Sequence, residues 1–136
     1  MSLAGGCLCG AVRFEIDAPF VSAGYCHCPR CQRRTGTAAS ASGRVAPGSF
    51  RLLSGEESLG AFRPEDGFAK VFCRACGSAL WSEDPADPET KGIRLGAVDG
   101  DPGIRPSSRA YVDSAAPWEP IPDDGLPRFG GARPSG

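Results

Sequence analysis

The chain has 136 residues, 15 basic and 16 acidic, for a formal net charge of -1, a balance that gives no general attraction to nucleic acid or anionic lipid. Hydrophobic residues make up 40%, but 19 glycines and 13 prolines cut them into short pieces, so no apolar run approaches the roughly 20 residues that cross a bilayer. A single domain is expected at this length, with no membrane and no nucleic-acid partner, and the absence of a basic or apolar leader in Met1 to Gly6 makes a cytoplasmic location the expectation.

In chain order, Cys7 to Asp17 alternates, with Val12, Phe14 and Ile16 on one face and Arg13, Glu15 and Asp17 on the other, the pattern of a half-buried strand. A second strand is expected in Phe20 to Tyr25. The polar, cysteine-rich Cys26 to Arg34 suits a tight turn or one short helix. Thr37 to Val45 and Phe50 to Leu53, separated by Pro47-Gly48, read as two more strands. Leu59 to Arg63 and Phe68 to Cys73 flank Pro64-Glu65-Asp66-Gly67, a hairpin turn. Ala79 to Ser82 and Ile93 to Val98 complete the strands, and Asp84 to Glu89, rich in Pro and Asp, reads as a surface loop. After Asp113 the chain is punctuated by prolines yet keeps Trp118, Ile121, Leu126 and Phe129, so it is expected to pack as extended chain. The expectation is therefore all-β, built of short antiparallel strands with no long helix, as one zinc-binding domain over residues 1–129 with a flexible tail over 130–136.

All seven cysteines fall in clusters: Cys7-Leu8-Cys9, Cys26-His27-Cys28-Pro29-Arg30-Cys31 and Cys73-Arg74-Ala75-Cys76-Gly77. In a reducing compartment such clustering is better explained by metal than by disulfides, and an odd count cannot pair completely. Residues two apart on a strand point the same way, so Cys7 and Cys9 can offer both sulfurs to one ion, and Cys73-x-x-Cys76 has zinc-knuckle spacing. These two pairs make a closed four-thiolate site, a staple that a small β domain needs. Cys26, Cys28 and Cys31 would then hold a second zinc with one position open to water or substrate. Spacing does not fix this division, since Cys26 and Cys28 could complete the closed site instead, and all seven could be structural.

The segments Cys7-x-Cys9-Gly10, Cys26-His27-Cys28-x-x-Cys31 followed by Gly36, and Cys73-x-x-Cys76-Gly77, with the later Tyr111-Val112 and Trp118, together resemble the glutathione-dependent formaldehyde-activating enzyme family across nearly the whole chain. The resemblance implies packed antiparallel sheets of the Mss4-like, β-tent kind. It implies a structural zinc on Cys7, Cys9, Cys73 and Cys76, and a catalytic zinc on Cys26, Cys28 and Cys31. Because three thiols without metal can oxidise, partial occupancy of that second site or a disulfide among the three is expected in some preparations. It also implies a reaction, the condensation of glutathione with formaldehyde to S-hydroxymethylglutathione, classed as a carbon-sulfur lyase in reverse. The partners would be a small-molecule thiol such as glutathione and a small aldehyde. Two other classes stay open: a protein that binds glutathione without catalysis, and a zinc-stapled interaction domain.

A zinc surrounded by three thiolates is a mild Lewis acid, better suited to activating a thiol than to ionising water. A free thiol near pKa ~8.5 is deprotonated on coordination and becomes a nucleophile. Arg30, Arg33 and Arg34 lie beside the second cluster, where any of them could clamp a carboxylate, and Arg74 lies inside the last pair. His27, the only histidine, alternates away from its flanking cysteines and is expected not to be a ligand. Thr35, Gly36 and Thr37 read as a turn, and Tyr111 and Trp118 as core aromatics.

Overall fold

The computed structural model describes residues 2–134; Met1 and the last two residues of the expected flexible tail lie outside the described residues. Ten strands and one short α-helix form two sheets. The smaller contains β1 (Leu3–Gly6), β2 (Arg13–Ile16) and β5 (Phe50–Ser54), in the order β1-β2-β5. The larger contains β3 (Ser22–Cys26), β4 (Ser40–Arg44), β6 (Leu59–Phe62), β7 (Ala69–Cys73), β8 (Ala79–Asp84), β9 (Asp87–Arg94) and β10 (Arg109–Ala110), in the order β10-β3-β4-β9-β8-β7-β6. The helix α1 (Pro29–Thr35) lies between β3 and β4. The fold is all-β, as expected.

The two sheets bury their apolar faces against each other. Phe14 and Ile16 of β2 are fully enclosed and meet Val71, Trp81 and Ile93 of the large sheet in one cluster. Its centre is aromatic: Phe14 and Trp81 meet edge-on with centroids 6.2 Å apart, and Phe50 lies 4.9 Å from Trp81 and 5.4 Å from Phe14. Strand alternation then decides what the other face of the large sheet carries. Because Val71, Trp81 and Ile93 point inward, Lys70, Ser82 and Arg94 point to the opposite face.

Four local expectations are corrected. Cys7 to Asp17 is not one strand: Cys7–Val12 is a tight turn between β1 and β2, in which the Cys7 amide donates to Val12 O (3.1 Å) and the Gly10 amide to Cys7 O (3.2 Å). Asp84 to Glu89 is not a loop but the tip of the β8–β9 hairpin, where Asp84 pairs with Asp87. Pro88 is tolerated there because β9 meets β4 only over residues 92–94, so the missing Pro88 amide breaks no central ladder. Residues 95–97 leave β9 as a short 3-10 turn. Finally, β10 runs parallel to β3, a pairing that the long connection after β9 makes possible.

The segment beyond β10 is held by main-chain bonds: the Arg109 amide donates to Pro127 O and the Phe129 amide to Arg109 O, each at 2.9 Å. Further back, the turn after β5 rests on Gly55, at φ 89°, where an added Cβ would lie 2.3 Å from Ala11 O. Neither the dihedral nor the rigid backbone neighbour can yield cheaply. Gly55→Ala is expected to destabilise the domain by about 2–3 kcal/mol, read from urea unfolding midpoints at fixed metal content; a change under about 0.5 kcal/mol would contradict this packing.

Candidate metal centre

The tight turn after β1 and the Cys73–Gly77 turn between β7 and β8 are brought tip to tip. The Leu8 amide donates to Ser78 Oγ (3.0 Å), and the Gly77 amide to Cys73 O (2.7 Å). The four sulfurs of Cys7, Cys9, Cys73 and Cys76 lie within 4.8 Å of one another, with Cys7 and Cys9 3.6 Å apart and Cys9 and Cys73 3.9 Å apart. A tetrahedral zinc with Zn–S bonds of about 2.3 Å spaces its sulfurs about 3.8 Å apart, so the cluster fits that ion without rearrangement. Cys7 and Cys9 come from a turn rather than from a strand, while Cys73 and Cys76 sit on the tight turn at the end of β7. Ser78 helps hold one sulfur as thiolate: its hydroxyl, 3.2 Å from Cys76 Sγ, draws that thiol down to about 5.

The second cluster is built from six consecutive residues. Cys26 ends β3, Cys28 is the N-cap of α1, and Cys31 sits in its first turn. The Cys28 sulfur accepts the Cys31 amide at 3.3 Å, and Pro29 starts the helix where no amide donor is needed. Gly36 closes the helix at φ 69°. The three sulfurs lie within 4.8 Å of one another, compatible with three corners of a tetrahedral ion. The close sulfurs bias one another: the neighbouring Cys26 thiol draws Cys31 down to about 5, while Cys31 and burial push Cys26 up.

These sulfurs open into a cavity of about 460 Å³ lined, among the described residues, by five basic side chains, Arg30, Arg44, Lys70, Arg94 and Arg133, and by no carboxylate. Arg94 is the most constrained. Its guanidinium donates to Ser42 Oγ (2.6 Å) and Ser82 Oγ (3.1 Å), and its buried Nε has no partner. Lys70 approaches the same Ser82 hydroxyl at 3.5 Å. Burial lowers the proton affinity of both side chains, and the Cys31 thiolate opposes that effect in each. Neither makes a salt bridge among the described residues. Three thiolates with one Zn2+ leave a single formal negative charge, which Lys70 and Arg94 together exceed, so the cavity favours an anionic guest.

Lys70 and Arg94 escaped sequence reasoning because strand register brings them in, with Lys70 opposite Ser82, Ser82 opposite Gly92 and Ser42 opposite Arg94. The alternation of Lys70 with Val71 was the available signal. The arginines singled out from the sequence are employed differently. Arg30 lines the cavity but is bound to Asp66 (2.7 Å); Arg33 is exposed; Arg34 donates to Val71 O (3.2 Å) and lies over Phe72; Arg74 donates to Glu57 O. Thr35 and Thr37 face a separate cavity of about 750 Å³ beyond Arg94.

His27 belongs to neither sulfur cluster. It is buried, with Nε2 3.2 Å from the Arg109 guanidinium, and burial first, then Arg109, holds the ring in its neutral form by lowering its pKa. Arg109 also donates to Asp124 (2.8 Å) and stacks on Tyr25 at 4.3 Å. Tyr111 and Trp118 are not core: they are 37% and 66% exposed, and Tyr111 lines the three-cysteine cavity.

Comparisons with known proteins place the chain in a family. Residues 2–114 match the family model described as "Glutathione-dependent formaldehyde-activating enzyme". A Halomonas elongata protein named "Putative glutathione-dependent formaldehyde-activating enzyme" is 32% identical over 118 residues, which cover 82% of this chain and 74% of that protein. The crystal structure of a Rhodobacter sphaeroides protein shares the fold with a TM-score of 0.58, at 24% identity, over 93% of this chain and 98% of that one. The fold and sulfur clusters define a two-sheet all-β domain equipped for metal. More specifically, the chain belongs to the glutathione-dependent formaldehyde-activating enzyme family.

The two sulfur sets should separate by mutation. Reduced protein is expected to bind two zinc ions per chain, and Cys28→Ser one, with folding retained. Cys76→Ser should instead lower the melting temperature sharply, because that site joins the two sheets. Metal analysis beside thermal melts reads both; equal loss of stability in the two variants would contradict the division of labour.

Proposed function

We propose that the protein condenses glutathione with formaldehyde to S-hydroxymethylglutathione, the reverse direction of a carbon-sulfur lyase, in the cytoplasm. Cys26, Cys28 and Cys31 form the reactive site, and Cys7, Cys9, Cys73 and Cys76 the structural one. The observation that carries this reading is the three-sulfur cluster at the wall of a cavity lined by cations and free of carboxylates.

Zinc on the three sulfurs supplies the means of keeping an incoming thiol as thiolate near neutral pH. The remaining work falls to the chain. Arg94, held by Ser42 and Ser82, presents a fixed guanidinium face to a glutathione carboxylate, the geometry that makes arginine a carboxylate clamp. Lys70 adds a second cation from β7, on the far side of β8. Formaldehyde and thiols also combine unaided, so the gain comes from supplying thiolate and holding it at the aldehyde carbon. Membership of the family and the Halomonas elongata relative's name support glutathione and formaldehyde as the pair.

The deciding measurement is the rate of S-hydroxymethylglutathione formation, followed by NMR exchange with labelled formaldehyde. Zinc-loaded protein should accelerate it and Cys28→Ser should not. Saturable glutathione binding with an unchanged rate would select a binding protein instead. Arg94→Met is expected to raise the glutathione Kd at least about tenfold, the value of one charge-assisted hydrogen bond, with zinc content unchanged. Calorimetry reads this, and an unaltered Kd would remove Arg94 from the substrate site.

A further inference from the structure

One side chain at the three-cysteine cavity has no task in the scheme above. Tyr111 lines that cavity and is the only non-glycine residue with positive φ among the described residues, at φ 58° and ψ 39°. A bulky side chain is disfavoured in this left-handed region and persists only where its surroundings over-determine it. Here they do. The Tyr111 amide donates to Gly131 O (2.9 Å), its carbonyl accepts the Ser114 amide (3.0 Å), and the Val112 amide donates to Phe129 O (3.0 Å).

Packing gives no reason to place a tyrosine there, because the side chain is more than a third exposed. Topology gives a reason of another kind. Ala110 is the register partner of Cys26, and the His27 amide donates to Ala110 O at 2.9 Å. Tyr111 therefore leaves the sheet at the point where the cysteine loop leaves it, and the left-handed turn directs the chain there. Arg30, which donates to Asp66 at 2.7 Å, lines the same cavity as Tyr111.

We propose that Tyr111 is a catalytic residue of this site, its phenol hydroxyl donating the proton that completes the thiol–aldehyde adduct. This rests on the glutathione–formaldehyde reading. The thiol gives up its proton to solvent, the thiolate electron pair forms the carbon–sulfur bond, the carbonyl π pair moves onto oxygen, that oxygen takes the phenol proton, and solvent returns the thiol's proton to the phenolate. No oxidant or reductant is needed. A phenol hydroxyl is a donor that can hand its proton to the more basic alkoxide. The other groups fit the role less well: Tyr25 lies under the Arg109 guanidinium, the serine hydroxyls are weaker acids, and Lys70 and Arg94 are engaged with the substrate carboxylate.

Three variants of the zinc-loaded protein test it. Tyr111→Phe keeps the ring and should retain glutathione affinity within about twofold and the melting temperature within about 1 °C, while kcat for adduct formation falls roughly 10²-fold, the usual scale for a lost general acid. Tyr111→Gly relieves the backbone strain and should raise the melting temperature by about 3 °C without restoring turnover. Tyr111→Asn, which tolerates the left-handed region, should also stay slow. Wild-type turnover in Tyr111→Phe would overturn the proposal while leaving the function intact. No acceleration by the wild type would sink both, and reduced glutathione affinity with unchanged kcat would make Tyr111 a binding wall and overturn its catalytic role.

Discussion

Everything in this domain depends on four sulfurs meeting where the two sheets touch. The small sheet contributes only three strands, and its grip on the large one rests on a single cluster centred on Phe14, Phe50 and Trp81. The Cys7–Cys9 turn and the Cys73–Cys76 turn close the end of that contact. Were the four thiols left as thiolates without a cation, their mutual repulsion would pry the turns apart. A shared divalent ion would convert the same crowding into attraction. Such a staple would fix β7 and β8 against β2, and the register carried across β8 and β9 sets Lys70 and Ser82 in one row of the outer face and Arg94 and Ser42 in the next.

Much of this was legible in the sequence because cysteine spacing and strand alternation are local. The seven cysteines stood in tight clusters whose division into two groups came from the family resemblance, and Val12, Phe14 and Ile16 declared their face by period two. What escaped was non-local or depended on turn chemistry. Cys7-x-Cys9 looks like the start of a strand because the alternation beginning at Val12 continues the pattern backward, yet Gly10 at φ 81° bends the chain. Asp84 to Glu89 carries loop composition, but Asp84 and Asp87 accept the Ala86 and Glu89 amides and so shape a hairpin tip.

The candidate site was half legible for the same reason. Its sulfurs are contiguous, whereas its cations come from β7 and β9, and only the strand order shows that they meet. Proximity in sequence pointed instead to Arg30, Arg33 and Arg34. Two of these are occupied by other partners and the third faces solvent, because a seven-residue helix turns neighbouring side chains to different sides. Tyr111 was visible as an aromatic, but not as a strained one, since its dihedrals are imposed by the segment that returns through Phe129 and Gly131.

The contiguity of Cys26, Cys28 and Cys31 has an evolutionary corollary. The sulfur loop is a self-contained cassette, specified by six neighbouring positions, while the residues proposed to meet the substrate are scattered over three other elements. Under the proposed reading, mutations at positions 70, 94 and 111 can change which thiol is accepted while the cassette stays intact. Such a layout lets descendants of one ancestral domain diversify in what they bind without having to reinvent their inorganic chemistry.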